Sequence, residues 1–220
     1  MSPQVVSSQT TVHDNLKRLV DRHLSSEYKN SIPKHARDAF IIAEEFIQKR
    51  NSSIILDSGC GTGESTYHLA RQYPDRTVIG IDKSASRLNR YTFETLPNQI
   101  IIQADCVSFW QLAMQNNWQL QQHYLLYPNP WPKPGHLQRR WHGHPIFPAI
   151  VQLGGNLIMR TNWYIYAQEF AYALTCILRR QTVVSTLDPA HIISAHERKY
   201  SQSQHPLYEV RAALPASSKM

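Results

Sequence analysis

Apolar residues change their spacing several times along this 220-residue chain, and each change marks a predicted element. Residues 1–12 show no period and are expected to be loose. From His13 to Leu24, the residues Leu16, Leu19, Val20 and Leu24 recur at helical spacing, with Lys17, Arg18, Asp21 and Arg22 between them. After Ser31-Ile32-Pro33, a second amphipathic helix is predicted from His35 to Lys49, with Ala36, Ala39, Phe40, Ala43, Phe46 and Ile47 on one face. Both helices read as packing against a sheet edge, although Lys34, His35 and Arg37 could also touch an anionic ligand group. Short β-branched runs then alternate with helical stretches: strands at 53–57, 77–81 and 100–103, helices at 64–72 and 106–116. A further strand enters at His123–Tyr127, followed by a helix over 145–152, a strand over 156–160 and a helix from Thr161 to about Leu178. Residues 191–200 are polar and mixed, and lie between two last strands at 181–187 and 205–211. The alternation predicts an α/β fold with a mostly parallel sheet and helices on both faces; the two-strand tail predicts an antiparallel edge.

A chain of this length suits one sizeable core, read here as an extension with a short helix (1–30), a main domain (31–213) and a tail (214–220). The 42% hydrophobic content is that of a globular protein, and no apolar run approaches a membrane span. The first residues, Met-Ser-Pro-Gln-Val-Val-Ser-Ser-Gln, lack the order of a secretory signal. Cys60, Cys106 and Cys176 are odd in number and widely spaced, which predicts a reducing, cytoplasmic setting without disulfides or a zinc site. The net charge of +7 favours an anionic partner, but placement of the charge must decide. Oligomeric state stays open between monomer and homodimer.

The chemistry starts at Ile54-Ile55-Leu56-Asp57-Ser58-Gly59-Cys60-Gly61-Thr62-Gly63-Glu64. A β-branched strand ends in an acid, three alternating glycines follow, and a helix opens, which is the usual cradle for a nucleotide-like ligand. A dinucleotide fingerprint needs a third glycine or alanine where Glu64 stands. Gly59, Gly61 and Gly63 behind Asp57 instead resemble the first motif of the S-adenosylmethionine (AdoMet) methyltransferases. Glycines let the backbone pass close to a ligand, and Asp57 could accept from the ligand's ammonium group or from ordered water. Asp82 ends the second strand, about twenty residues beyond the glycines, where it could take both ribose hydroxyls or simply cap a helix. Asp105 ends the third strand and could accept from an adenine amino group.

The second informative stretch is Tyr127-Pro128-Asn129-Pro130-Trp131-Pro132-Lys133, continuing through Gln138-Arg139-Arg140-Trp141-His142-Gly143-His144. Prolines stiffen the loop, and its mixture of cations and flat rings suits RNA phosphates and unstacked bases. A zinc site at His136, His142 and His144 lacks a cysteine or carboxylate to complete it. Together the two stretches resemble the bacterial tRNA (guanine-N7)-methyltransferase family over roughly residues 30–210. In that family a strand ends in Pro-Asp-Pro-Trp, a lysine follows two residues later, and a basic cluster comes after. Thr161-Asn162-Trp163…Tyr166-Ala167 is similar to the family's Thr-Asp-Trp…Tyr-Ala element, and Ser194-Ala195-His196-Glu197 to its Thr-x-Phe-Glu motif.

The resemblance implies a seven-stranded class I methyltransferase fold, Rossmann-like, acting on a tRNA guanosine with AdoMet; the residues themselves predict no metal. It implies cofactor contacts at Asp57, Gly59, Gly61, Gly63, Asp82, Asp105 and Asn129, with Asn129 and Lys133 at the reacting centre. Lys133, Arg139, Arg140, Asn162, Ser194 and Glu197 would meet the substrate, the two arginines through phosphate. The family's aspartates are Asn129 and Asn162 here. A carboxylate suits the paired N1–H and N2–H donors of guanine, whereas a carboxamide offers one acceptor and one donor. A mismatch of that kind, if buried, costs roughly 1–3 kcal/mol. Two other readings therefore stand beside the first: an AdoMet enzyme for another nucleobase or a small molecule, and a non-catalytic RNA-binding module.

Overall fold

In the computed structural model, which describes residues 2–188 and 192–216, seven strands form one sheet. The strands are β1 (Ile54–Ser58), β2 (Thr77–Asp82), β3 (Gln99–Gln103), β4 (Leu120–Leu126), β5 (Gly155–Thr161), β6 (Val184–Leu187) and β7 (Leu207–Leu214). Their order is β3-β2-β1-β4-β5-β7-β6. All pairings are parallel except those of β7, which runs antiparallel to both β5 and β6. The tail pair thus makes the antiparallel edge, with the reversed strand one in from the outermost. Residues 217–220 of the expected tail, and His191 of the mixed stretch, lie outside the described residues.

The helices are α1 (Leu16–Leu24), α2 (Lys34–Arg50), α3 (Glu64–Gln72), α4 (Ala85–Leu88), α5 (Cys106–Gln115), α6 (Phe147–Gln152), α7 (Tyr164–Leu178) and α8 (Ala195–Gln202). Parallel strands buried on both faces read as continuous apolar runs, and β1 and β2 are buried at every position. Alternate side chains then serve two cores. Leu56, Ile79 and Ile81 join the larger one with α1, α2, α5, α6 and α7; Ile55 and Val78 join the smaller with Leu69 and Ala70 of α3. Gly80 permits close contact between β2 and α3, because an added Cβ there would collide with the Thr66 side chain.

Two stretches differ from the pattern. Residues 2–12 are not loose: the Ser7 hydroxyl donates to the Pro132 carbonyl (2.5 Å), and the Gln9 amide donates to Glu169 Oε1 (2.6 Å). The polar, mixed stretch before β7, given no element from its pattern, contains α8, whose signal is the capping pattern Ser194-x-x-Glu197; Ser194 Oγ accepts from Glu197 N at 3.2 Å.

Candidate active site

The in-register ends of β1, β2 and β3 deliver their last residues to one edge of the sheet, where a cleft of about 610 Å³ opens. Its floor and near wall include Ser58, Gly59, Gly61, Asp82 and Asp105. Its far wall is the loop after β4, with Tyr127, Asn129, Trp131, Arg139 and Trp141, closed over by His196 and Tyr200 of α8.

The glycine turn is held by two bonds to β2, from Gly59 N and Cys60 N to the Ile81 carbonyl (2.8 and 2.9 Å). Gly59, Gly61 and Gly63 have φ of +76°, +63° and +82°, conformations that L side chains rarely adopt. They serve different ends. A Cβ at Gly59 or Gly61 would meet nothing within 4 Å, and both residues line the cleft, whereas a Cβ at Gly63 would fall 2.5 Å from Ile101 Cδ1 and 2.8 Å from the Tyr91 ring.

Asp57 is fully buried behind this turn. Ser65 Oγ and Thr66 Oγ1 both donate to its Oδ2 (2.6 and 2.8 Å), while Oδ1 has no partner among the described residues. Burial pushes its carboxyl up to about 6, against the pull of the two hydroxyls. An orphaned acceptor beneath a Cβ-free cradle fits a ligand's ammonium group or a bridging water. Asp82 accepts from Gly61 N (3.0 Å), Ser84 N (2.8 Å) and Arg87 Nη2 (2.7 Å), so it braces the glycine turn as well as lining the cleft. Ser84, not Asp82, caps α4. Asp105 caps α5, accepting from Ser108 N at 2.9 Å and, more weakly, from Val107 N at 3.3 Å, which leaves capacity at its Oδ1. Cys60 and Cys106 lie beside these acids, and burial raises both thiols, so neither is a nucleophile at neutral pH.

On the far wall, Tyr127 and Trp131 hold φ of +51° and +45°, uncommon for bulky residues. Tyr127 is tied down by its hydroxyl, which donates to Glu197 Oε1 (3.0 Å). Asn129 is exposed at the cleft. Arg139 is exposed and stacks over the Trp131 ring at 4.8 Å, a cation and a flat face at the mouth.

Several expected substrate contacts are elsewhere. Arg140 is wholly buried and is corrected from a phosphate contact to a loop-organising residue. It pairs with Glu169 Oε2 (2.5 Å), donates to the Trp131 carbonyl (3.1 Å) and to Gln9 Oε1 (3.0 Å), and lies over the Trp163 ring (4.8 Å). Glu197 is also fully buried, accepting from Tyr127, Arg160 (2.8 Å) and Ile193 N (2.9 Å); it supports the wall and does not face a substrate. Ser194 is the cap of α8. Asn162 contacts His205 Nδ1 (3.1 Å), whose Nε2 is 2.9 Å from the Ser2 carbonyl, and it does not line the cleft. Lys133 is exposed and lies outside the cleft lining, as do Lys34, His35 and Arg37. His136, His142 and His144 do not converge: His142 bonds Glu169 (2.8 Å), His136 abuts Trp131, and His144 lines the cleft. Tyr127, Trp141 and His144 line the cleft without being predicted to, although their rings lie in the aromatic, proline-rich stretch after β4.

A sheet of this order, with the glycine turn at β1 and a cleft at its carboxyl edge, defines a class I, Rossmann-like methyltransferase fold. The solved structure of the 16S rRNA methyltransferase KamB is alike in fold, with a TM-score of 0.58 at 19% identity over 78% of this chain and 93% of that one. The family model described as "Putative methyltransferase" matches residues 51–210, and the chain belongs to that family. Among curated proteins it is similar to the tRNA (guanine-N(7)-)-methyltransferase of Buchnera aphidicola subsp. Baizongia pistaciae, at 33% identity over 56% of this chain and 54% of that protein. The protein of the same name from Nitrosomonas europaea is 33% identical over 57% of this chain and 58% of its own length. The chain thus spans about half the length of the curated relatives it matches.

Proposed function

We propose that this protein is an AdoMet-dependent RNA methyltransferase that modifies N7 of a guanosine in tRNA. The observation that carries the reading is the two-sided cleft, with strand-end acids and a glycine cradle on one side and aromatic rings with Arg139 on the other. The names of the curated relatives support the choice of base and RNA.

AdoMet supplies an electrophilic methyl group on a sulfonium centre. Asp57, Gly59 and Gly61 would hold its amino-acid end, Asp82 its ribose and Asp105 its adenine. Gly63 acts indirectly, by letting the turn pack on Ile101. Guanine N7 bears no proton, so no residue of this chain need act as a base, and the rate comes from alignment. Methylation at N7 would leave a positive charge on the base, and the rings of Tyr127, Trp131 and Trp141 in the cleft lining would suit such a flat cation. Asn129 stands beside them and reads the base edge, while Arg139 and Lys133 meet the backbone from the exposed rim. No described helix is long and apolar enough to cross a membrane; a tRNA substrate would place the work in the cytoplasm.

The carboxamide at Asn129 favours one second reading, another base with a donor–acceptor edge. Nucleoside mass spectrometry after incubation with unmodified tRNA and methyl-deuterated AdoMet separates the two. Labelled 7-methylguanosine is the expected product. A label on another nucleoside makes Asn129 a specificity residue, and bound AdoMet with no RNA label removes the RNA assignment.

A further inference from the structure

Along the sheet edge stand Asp105 just beyond β3, Asp82 at the end of β2 and then Ser58 at the end of β1. On the cofactor reading proposed above, an extended ligand with adenine at Asp105 and ribose at Asp82 arrives at the end of β1 with its amino-acid portion. The side chain waiting there is Ser58, which lines the cleft but is only 6% exposed.

Its surroundings are built from distant parts of the chain. Trp110 Nε1, which can only donate, is 2.9 Å from Ser58 Oγ. His123 Nε2 is also 2.9 Å from it. His123 is wholly buried, burial alone pushes its imidazole down to about 3, and its Nδ1 has no partner among the described residues. The ring is therefore neutral and carries one proton, whose place follows from the hydrogen-bond network. On Nδ1 the proton would leave an orphaned buried N–H, which folded proteins rarely tolerate. On Nε2 it leaves only an unused lone pair at Nδ1, the milder defect. Nε2–H then donates to Ser58 Oγ, and the indole N–H donates to the same oxygen. Both lone pairs of Ser58 are occupied, and its one hydrogen can go only toward the cleft.

We propose that Ser58 is a fixed hydrogen-bond donor for the amino-acid carboxylate of the cofactor, with its hydroxyl aimed by Trp110 and His123. The neighbouring Asp57 lies on the opposite face of β1, bonded to Ser65 and Thr66, with an unused acceptor behind the glycine turn and not in the cleft lining. A hydroxyl that is free to turn gives up part of its interaction to rotamer entropy. One held by two donors does not, which is the use of a buried Trp–Ser–His set beneath a ligand site.

The test compares two ligands by calorimetry on the full chain: S-adenosylhomocysteine, which carries the amino-acid group, and methylthioadenosine, which lacks it. Ser58→Ala should weaken S-adenosylhomocysteine about 10- to 100-fold, the range for a hydrogen bond to a charged group, and leave methylthioadenosine unchanged. Ser58→Thr, which keeps the hydroxyl, should retain most of the discrimination. If Ser58→Ala does not fold, Ser58→Cys, a weak donor of similar size, carries the same comparison. An equal loss for both ligands, or no loss for either, overturns the proposal. Wild-type protein that binds neither ligand overturns the cofactor reading itself, a result distinct from the first.

Discussion

Arg140→Ala is the substitution on which the sequence and the structure disagree most. A surface arginine that holds RNA phosphate can be truncated with almost no effect on stability, because exposed charges contribute about 0–1 kcal/mol. Arg140 is 0% exposed, and its loss leaves the equally buried Glu169 without its cation and the Trp131 carbonyl without its donor. Removing one partner of a buried pair costs about 3–5 kcal/mol. The carboxyl shows the same dependence. Burial would raise Glu169, but the hydrogen bond and charge of His142, and then the Arg140 guanidinium, pull it from an ordinary 4.5 down to about 2, so Arg140 supplies part of that displacement. Against a total of about 5–15 kcal/mol, the loss of the pair is a large fraction. At about 2–4 °C per kcal/mol for a domain of this size, Tm should fall by roughly 6–20 °C in thermal unfolding followed by circular dichroism. The pH dependence gives a second signature. A depressed carboxyl stabilises the fold above about pH 4.5 and loses that contribution as pH falls toward about 2, so the wild type should weaken across this window. In Arg140→Ala that contribution should shrink. A variant with Tm within about 2 °C of wild type and with only its RNA affinity reduced would refute the burial argument and restore the phosphate role.

Two further outcomes follow from the glycine turn. Because burial raises Asp57 to about 6, a ligand ammonium that needs its ionised form should bind progressively less well below that pH, approaching tenfold per unit, and the slope should vanish in Asp57→Asn; calorimetry with S-adenosylhomocysteine from pH 5 to 8 checks this. Both alanines carry the cost of an L side chain at positive φ, about 1–2 kcal/mol each; Gly61→Ala also places its methyl in the open cleft and should reduce ligand affinity, whereas Gly63→Ala also collides with Ile101 and Tyr91 and should lower urea stability by about 1–3 kcal/mol more than Gly61→Ala does. Equal stability losses for the two alanines would remove the distinction between cradle and packing glycine.

Much of the architecture was legible because its causes are local. β-branched runs predict β1, β2 and β3 wherever the chain goes next, and an acid at a strand end must lie at the carboxyl edge of a parallel sheet. The alternation of strands and helices and the two-strand tail likewise led to the sheet and its antiparallel edge. The glycine spacing marked the turn, since positive φ is a property of single residues.

Burial, by contrast, is a property of the assembled chain. Arg139 and Arg140 are adjacent and alike in sequence, yet one stacks on Trp131 at the rim and the other is sealed against Glu169, 29 residues away. Glu197 and Asn162 look like substrate contacts until Arg160, Tyr127 and His205 are brought beside them from other strands and loops. Ser58 reads as an unremarkable position in a glycine-rich turn, and only tertiary packing sets Trp110 and His123 on either side of its oxygen. Periodicity and turn chemistry determined which elements form and where their ends gather. Which charged and polar side chains face the cleft, and which are used up inside it, was decided by partners far apart in sequence, because a buried charge must find its counterpart wherever the fold supplies one.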